Sequence, residues 1–170
     1  AYWRYPIFSK RGENRKEPDV VIADKEKGLI VCEVEEYEID DIEEVSYDNW
    51  KYNTDKAADS PYYLVEDQLY ALKGLYETER LLRRIKGKAA VILPNITEEE
   101  WKERGFPVNN IIFADQLSKK SFVKKLDKID PLFGRGEMSD KQWENLLMVL
   151  TGQNTFKKTL RNKRKDNNTR

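Results

Sequence analysis

Residues 17–41 read EPDVVIADKEKGLIVCEVEEYEIDD, and two strands of the central sheet are predicted within them. Two apolar runs rich in β-branched residues, DVVIAD and GLIVCEVEEY, flank the polar segment KEKG, which predicts two antiparallel strands joined as a hairpin. The second run ends in Glu33, Glu35 and Glu36. An unpaired carboxylate on the face that carries Val31 would be costly to bury, so Glu33 requires a compensating partner.

The loop length of this hairpin determines which acidic side chains meet. A five-residue loop over residues 24–28 sets Asp19 opposite Glu33, and Glu35 then shares the face of Glu33. A four-residue loop would place Asp19 and Glu33 on opposite faces, so both registers stay open. In the first register like charges repel across the strand pair, and a divalent cation with oxygen ligands would compensate for that repulsion.

Capping residues and chain breakers indicate further strands and helices downstream. The segments KAAVILP and NIIFAD read as buried strands, and helix starts are predicted where capping residues precede amphipathic segments. This order predicts an α/β fold with a mixed central sheet flanked by helices, in which the hairpin supplies the antiparallel part. The predicted helix starts are Ser60 with Pro61, Thr97 with Glu100, Ser118, and Ser139 with Gln142. The first of these helices is expected to continue to about residue 85.

The chain has 170 residues, a length that suits one compact domain. Its composition excludes several classes of functional site. It contains no histidine and a single cysteine, Cys32, which rules out histidine bases, histidine metal ligands, thiolate zinc clusters and intramolecular disulfides. Low cysteine use is typical of a reducing compartment, so we expect a cytoplasmic location. No apolar run approaches the roughly 20 residues of a membrane-spanning helix, so no membrane partner is expected.

Charge is distributed unevenly along the chain. Residues 155–170 hold seven Lys or Arg and one Asp, a net charge of +6, so residues 1–154 carry −6 because the whole chain is neutral. Two interpretations of this basic end stay open: a disordered linker, or a nucleic-acid contact through phosphate neutralisation. The chain begins at Ala1, which indicates either a segment of a longer chain or removal of an initiator methionine.

The hairpin carries a resemblance to a known family. Pro18 and Asp19, followed across the hairpin by Glu33, Val34 and Glu35, resemble the signature of the PD-(D/E)XK nucleases. The surrounding sequence looks like the nuclease-related (NERD) branch of that superfamily, which is found fused to superfamily 1 DNA helicases. The resemblance implies a PD-(D/E)XK nuclease-like core, also called restriction-endonuclease-like.

The resemblance extends beyond the hairpin. The segment SPYYLVEDQLYALKGL is similar to the helix after the third core strand of the family, and Gln68 matches a Gln that lies near the active site there. MSDKQWENLLMVLTG resembles the connector to the helicase. The resemblance therefore implies a NERD-like nuclease domain over residues 1–152 with a C-terminal helical connector. Residues 153–170 would be a basic, disordered linker toward a helicase domain of the same longer chain.

The family pattern also implies a role for each site residue. Asp19, Glu33 and the main-chain carbonyl of Val34 would hold Mg²⁺ or Mn²⁺, and the catalytic set would be Asp19, Glu33, Glu35 and Gln68. The bound ion would activate water for hydrolysis of single- or double-stranded DNA. Glu35 stands where the family usually has Lys, so it could accept the proton of that water or bind a second ion instead.

Two functions follow from these roles. The first is a metal-dependent DNA nuclease or nickase module of a nuclease-helicase, with Lys51 or Lys56 as candidates for the missing positive charge. The second is a catalytically weak or inactive NERD fold that binds DNA or a partner for the helicase. Structural alternatives stay open for single residues: Asp19 as a residue that starts a strand, Glu35 and Glu36 as a solvated strand end, and Gln68 as a hydrogen-bonded core amide.

Overall fold

A computed structural model describes residues 1–8, 15–53 and 57–152 of the chain. The predicted linker over residues 153–170 lies outside the described residues, as does Lys56. The strands are β1 Tyr2–Trp3, β2 Ile7–Phe8, β3 Arg15–Lys16, β4 Val20–Asp24, β5 Gly28–Val34, β6 Ile42–Val45, β7 Asn49–Tyr52, β8 Ala57–Asp59, β9 Gly87–Leu93 and β10 Ile111–Phe113. The α-helices are α1 Pro61–Tyr76, α2 Glu98–Glu103, α3 Lys119–Lys128 and α4 Asp140–Leu150.

The central sheet has five strands in the order β1-β4-β5-β9-β10. The pairs β1–β4 and β4–β5 are antiparallel, whereas β5–β9 and β9–β10 are parallel, so the sheet is mixed. The parallel pairs require crossovers, and helix α1 lies in the connection from β5 to β9. The predicted α/β class with a mixed sheet, antiparallel at the hairpin, is confirmed.

The register of the β4–β5 hairpin is the one that a five-residue loop predicts. Ala23 lies opposite Leu29, and the pairing continues to the far end of β4. The alternative register is therefore wrong. Carried one residue beyond β4, the observed register brings Asp19 to the level of Glu33, as the first register requires.

The turn of the hairpin is shorter than predicted. It spans residues 25–27, because Asp24 still pairs with Gly28. Oδ1 of Asp24 accepts hydrogen bonds from the backbone N–H groups of Glu26 at 2.9 Å and Lys27 at 2.8 Å, which close the turn locally. The turn ends at Gly28, whose φ of +96° favours glycine.

Hydrophobic side chains form two cores, one on each face of the central sheet. The larger core joins Leu29 and Val31 to side chains of α1 and α4, and the smaller core joins Ile30 and Cys32 to α3. Successive residues of β5 therefore alternate between the two faces, and the sheet is flanked by helices as predicted. Cys32 is fully buried, and its burial raises the pKa of the thiol to about 12.

The predicted helix starts are confirmed by their caps. The side chain of Ser60 accepts a hydrogen bond from a backbone N–H in the first turn of α1, and Pro61 is the first helical residue. Ser118 caps α3 in the same way. Reciprocal capping boxes begin α2 and α4, formed by Thr97 with Glu100 and by Ser139 with Gln142.

Helix α1 ends earlier than the sequence predicts, at Tyr76 instead of about residue 85. The following residues form consecutive turns closed by hydrogen bonds between residues three apart, including one from the N–H of Leu82 and one from the N–H of Ile85. These turns bring Leu82 and Ile85 into the larger core, where each is at most 2 % exposed. Burial of both side chains therefore stabilises the early end of the helix.

Several short strands are absent from the sequence prediction. Strands β6, β7 and β8 form a separate three-stranded sheet in the chain between β5 and α1, where the sequence analysis placed no strand. Their pairing places Trp50 and Tyr52 in the larger core while Lys51 between them stays exposed. Strand β1 adds an edge to the central sheet, and β2 pairs with β3.

Within the described ranges, no helix combines the length and apolar character that crossing a membrane requires.

Candidate functional site

Asp19 and Glu33 lie together where β4 begins and β5 ends. Oδ2 of Asp19 accepts a hydrogen bond from the backbone N–H of Val34 at 2.8 Å. The backbone of Asp19 also stabilises the ionised form of Glu33, since it lowers the pKa of that carboxyl group. The hairpin register places the two carboxylates side by side, and the main chain of β5 fixes the carboxylate of Asp19.

Gln68 of α1 reaches this pair from the helical layer. Its Nε2 donates a hydrogen bond to Oε2 of Glu33 at 3.1 Å. Its Oε1 is buried and has no hydrogen-bond partner among the described residues. A fully satisfied core amide would have partners for both ends, whereas only the Nε2 end of Gln68 has one among the described residues.

Burial and mutual repulsion shift the titration of the carboxylates. Burial, followed by the charge of Asp19, raises the pKa of Glu33 above its usual value, although the hydrogen bond from Gln68 opposes this shift. Burial raises the pKa of Glu35 to about 7, with further contributions from the charges of Glu33 and Asp19. A carboxyl group with a pKa near 7 exchanges its proton readily at neutral pH.

Tyrosines form a wall beside Glu35. The rings of Tyr37 and Tyr52 stack with centroids 4.2 Å apart. Burial, the charge of Glu35 and the neighbouring Tyr37 raise the pKa of Tyr52, which keeps its hydroxyl protonated and able to donate. Tyr52 was missed by the sequence analysis, although the alternation of aromatic and polar residues in NWKY could have indicated a strand that buries it.

The acidic residues around the site differ in their surroundings. Glu35 follows the last residue of β5, and its backbone N–H still donates to the carbonyl of Ile92 at 2.9 Å. Glu35 is half-buried, so the interpretation of a fully solvated strand end is wrong for it. That interpretation fits Glu36, which is exposed and contributes its backbone carbonyl to Asn95.

Basic side chains do not shift the titration of the carboxylate site, as far as the structure describes side chains. No cation contributes to the pKa of Glu33 or Glu35 there. Lys51, a candidate for the charge of the family's Lys, is exposed and forms an ion pair with Glu43 at 2.6 Å. Lys51 is therefore committed to another acidic group, and the other candidate, Lys56, lies outside the described residues.

The donor set at this edge suits a hard divalent cation. Carboxylate oxygens, a main-chain carbonyl and an amide oxygen are the ligands that Mg²⁺ and Mn²⁺ prefer. The unpartnered Oε1 of Gln68 and the repulsion between the carboxylates would both be relieved by a cation. Among residues 1–8, 15–53 and 57–152, no three acidic, cysteine or histidine side chains form a ready-made metal cluster. Asp19 and Glu33 could hold such an ion together with main-chain oxygens.

Comparisons of the chain with models of protein families, with curated proteins and with solved structures find no match.

Proposed function

We propose that this chain is a divalent-metal-dependent DNA nuclease module of the PD-(D/E)XK type, which hydrolyses or nicks phosphodiesters beside a helicase domain of the same longer chain. One observation carries the proposal: Asp19, Glu33 and Glu35 converge where β4 begins and β5 ends, so close together that the charges of Glu33 and Asp19 contribute to the raised pKa of Glu35. The order of the hairpin, helix α1 and parallel strand β9 is compatible with the core that the resemblance implies.

The residues at the edge divide the work of holding a cation. Asp19 and Glu33 would contribute carboxylate oxygens, and Val34 its carbonyl. Hydrogen bonds from Val34 and Gln68 orient the two carboxylates, because they fix one oxygen of each. When bound, Mg²⁺ or Mn²⁺ would lower the pKa of water and neutralise charge on the phosphodiester.

Glu35 would act as the general base. Its pKa of about 7 leaves a substantial ionised fraction at neutral pH and a strong enough affinity to take a proton from the attacking water. Burial of Glu35 and the charges of Glu33 and Asp19 keep this pKa high. Proton transfer to Glu35 would thus replace part of the role that the Lys of the resembling family performs with its positive charge.

Cleavage of supercoiled plasmid and of circular single-stranded DNA tests the proposal, with Mg²⁺, Mn²⁺ or a chelator present. The parent protein should cut only with metal, and Asp19→Asn should abolish cutting because it removes a ligand charge. Metal should also raise the melting temperature of the parent and not that of Asp19→Asn. Glu36→Gln is the matched control, since Glu36 is exposed beside the site and should leave both results unchanged.

A second candidate function is a catalytically weak or inactive NERD fold that binds DNA or a partner for the helicase. The missing positive charge beside Glu35 in the described residues favours it, because the family's Lys stabilises charge that develops on the phosphate. Glu35→Lys separates the two candidates. The substitution should lower cleavage if Glu35 is a working base, and raise it if the parent site is only weakly active. DNA binding without cleavage by either protein would support the binding module alone.

A further inference from the structure

A second charged region lies between the turns that follow α1 and the loop that precedes α4. An open cleft of about 830 Å³ separates these two segments. Its lining contains four cationic side chains and one acidic side chain. We call it the basic cleft and define it by Lys73, Arg83, Arg84, Arg135 and Glu137.

The backbone brings two of these arginines together from distant parts of the chain. The N–H of Arg135 donates to the carbonyl of Arg84 at 3.3 Å. Gly134 allows this approach, because a Cβ at its position would lie 2.1 Å from the carbonyl oxygen of Ile85. Gly134 also has a φ of +73°, which disfavours other residues. Close packing of the loop on the turns therefore places Arg135 beside Arg84.

The basic cleft is separate from the carboxylate site of Asp19, Glu33 and Glu35, which lies where β5 ends. The N–H of Gly87, the first residue of β9, donates to the carbonyl of Phe133 in the cleft wall at 3.0 Å. Gly87 pairs with Leu29 near the start of β5, whereas Glu33 lies four residues further along that strand. At about 3.3 Å per residue, the two regions are roughly 13 Å apart along the sheet.

The cations of the cleft are not neutralised by acidic side chains in the described part of the chain. Neither Lys73 nor any of the three arginines forms an ion pair there. The Nε of Arg83 donates to the carbonyl of Glu77 at 2.9 Å, which leaves its two terminal amino groups. Lys73 packs its Nζ 4.4 Å from the centre of the Phe133 ring. Other basic residues do form ion pairs: Arg4–Glu17, Lys25–Asp140, Lys27–Asp127, Lys51–Glu43, Lys102–Glu98 and Arg104–Asp40.

The arrangement of charge selects the class of ligand. Four cations and Glu137 give the cleft a formal charge of +3, close to the opposite charge of a diphosphate group. Guanidinium groups bind phosphate oxygens in pairs, and the cleft volume falls within the range of small-ligand sites. Acidic residues interrupt the basic surface, since Glu77 lines the adjoining depression beside Lys73 and Arg83. A long polyanion would meet those acids, whereas a compact ligand would not.

We propose that the basic cleft binds a small ligand that carries a diphosphate group, such as a nucleoside diphosphate. The ligand phosphates lie between Arg84 and Arg135, and the terminal amino groups of Arg83 and the ammonium of Lys73 complete the neutralisation. Binding needs no metal and none of the carboxylates at the opposite edge. It is therefore independent of the nuclease proposal.

Calorimetric titration with pyrophosphate in the presence of a chelator tests the site. The parent should bind pyrophosphate with a dissociation constant below about 1 mM. Arg84→Gln and Arg135→Gln should each weaken binding by about tenfold or more, because each removes a charge-assisted contact. Pyrophosphate should also shift the backbone amide resonances of Gly134 and Gly136, which localises the ligand even if a variant is poorly folded.

Two controls separate this site from general charge effects and from the carboxylate edge. Arg80→Gln changes the same charge on an exposed residue outside the cleft lining and should leave the affinity within about twofold. Asp19→Asn should also leave pyrophosphate binding unchanged. Absence of pyrophosphate binding at low salt would overturn the proposal, as would equal weakening by Arg80→Gln. Binding of a single-stranded DNA oligonucleotide that needs Arg84 and Arg135, without pyrophosphate binding, would assign the cleft to nucleic acid instead.

Discussion

The two ends of the central sheet carry opposite charge and are built in different ways. At the end of β5, Glu33 meets Asp19 through the register of one hairpin, so residues only 14 apart in sequence form the pair. At the other end, Arg84 meets Arg135 through loop packing across some fifty residues of chain. The acidic edge therefore depends on local strand pairing, whereas the basic cleft depends on tertiary packing. Substitutions that affect one end should leave the other end intact.

The largest effect is expected for Glu33→Gln, which removes a negative charge that the proposed cation site needs. Metal-dependent DNA cleavage should fall by on the order of a thousandfold or more, because the cation and the water it activates would be lost. Initial cleavage rates with Mn²⁺ measure this, with Glu36→Gln as the control. Pyrophosphate affinity should stay at the parent value, and a parallel loss of both functions would break the separation of the two ends.

Gly134→Ala should break the basic cleft by destabilising its wall. A Cβ there meets the Ile85 carbonyl oxygen at 2.1 Å in a backbone conformation with positive φ, so we expect a loss of roughly 3 kcal/mol. The melting temperature should fall by about 6 to 12 °C. Gly136→Ala is the matched control, because its φ of +75° is similar but nothing lies within 4 Å of its added Cβ. Equal shifts for both variants would show that only the strain of positive φ matters.

Gln68→Met should sharpen the role of the helical layer at the acidic edge. The substitution removes the hydrogen bond to Glu33 and the unpartnered Oε1, so cleavage should fall by about 10- to 100-fold. Stability should change by less than about 1 kcal/mol, since a buried acceptor without a partner is also removed. Cleavage kinetics and urea unfolding measure the two effects. A large loss of stability with unchanged cleavage would identify Gln68 as a core amide.

Glu35 should make stability depend on pH in metal-free buffer. Because the fold raises its pKa from 4.5 to about 7, its stabilising contribution is complete below about pH 4.5 and is lost as the pH rises through 7. Glu35→Gln removes that loss. At pH 8 the free energy of unfolding of this variant should therefore exceed that of the parent by about 1 to 2 kcal/mol, after allowance for solvent screening. The melting temperature should rise by about 2 to 8 °C at pH 8. The same rise at pH 4.5 would contradict this interpretation.

The smallest effect is expected for Lys51→Gln. Lys51 is exposed and paired with Glu43, so the substitution should change stability by less than about 0.5 kcal/mol and cleavage by less than about twofold. Thermal melts and plasmid nicking measure both. A strong loss of cleavage would instead make Lys51 the source of the positive charge that the acidic edge lacks.

Local signals account for what the sequence predicts correctly. The caps at Ser60, Thr97 and Ser139 act within one helical turn. Strand alternation limits the hairpin to two registers, and the structure selects the one with Ala23 opposite Leu29. The sequence therefore predicts, in one of these registers, that Asp19 lies opposite Glu33. The place of Gln68 beside Glu33 came from the resemblance, because no periodicity states which strand end a helix side chain reaches.

Tertiary packing accounts for what the sequence prediction lacked. Strand β7 forms because the core buries Trp50 and Tyr52, although its neighbours in sequence are acidic and polar. The early end of α1 depends on burial of Leu82 in the same core. The basic cleft needs Gly134 to approach a backbone carbonyl far away in the chain. Such contacts join distant segments, so a single sequence gives no local pattern for them.

Cys32 is the only cysteine of the chain, so the reactivity of its thiol can report when the middle of the central sheet opens. Cys32 is fully buried in β5 between two neighbouring strands, and its raised pKa leaves almost no thiolate in the closed state. A thiol-specific reagent can therefore react only when the middle of the sheet separates. Labelling kinetics with one reactive group per molecule would give the free energy of that opening directly. The same measurement with pyrophosphate or Mn²⁺ would show whether a ligand bound at either end of β5 slows the opening of the sheet around that strand.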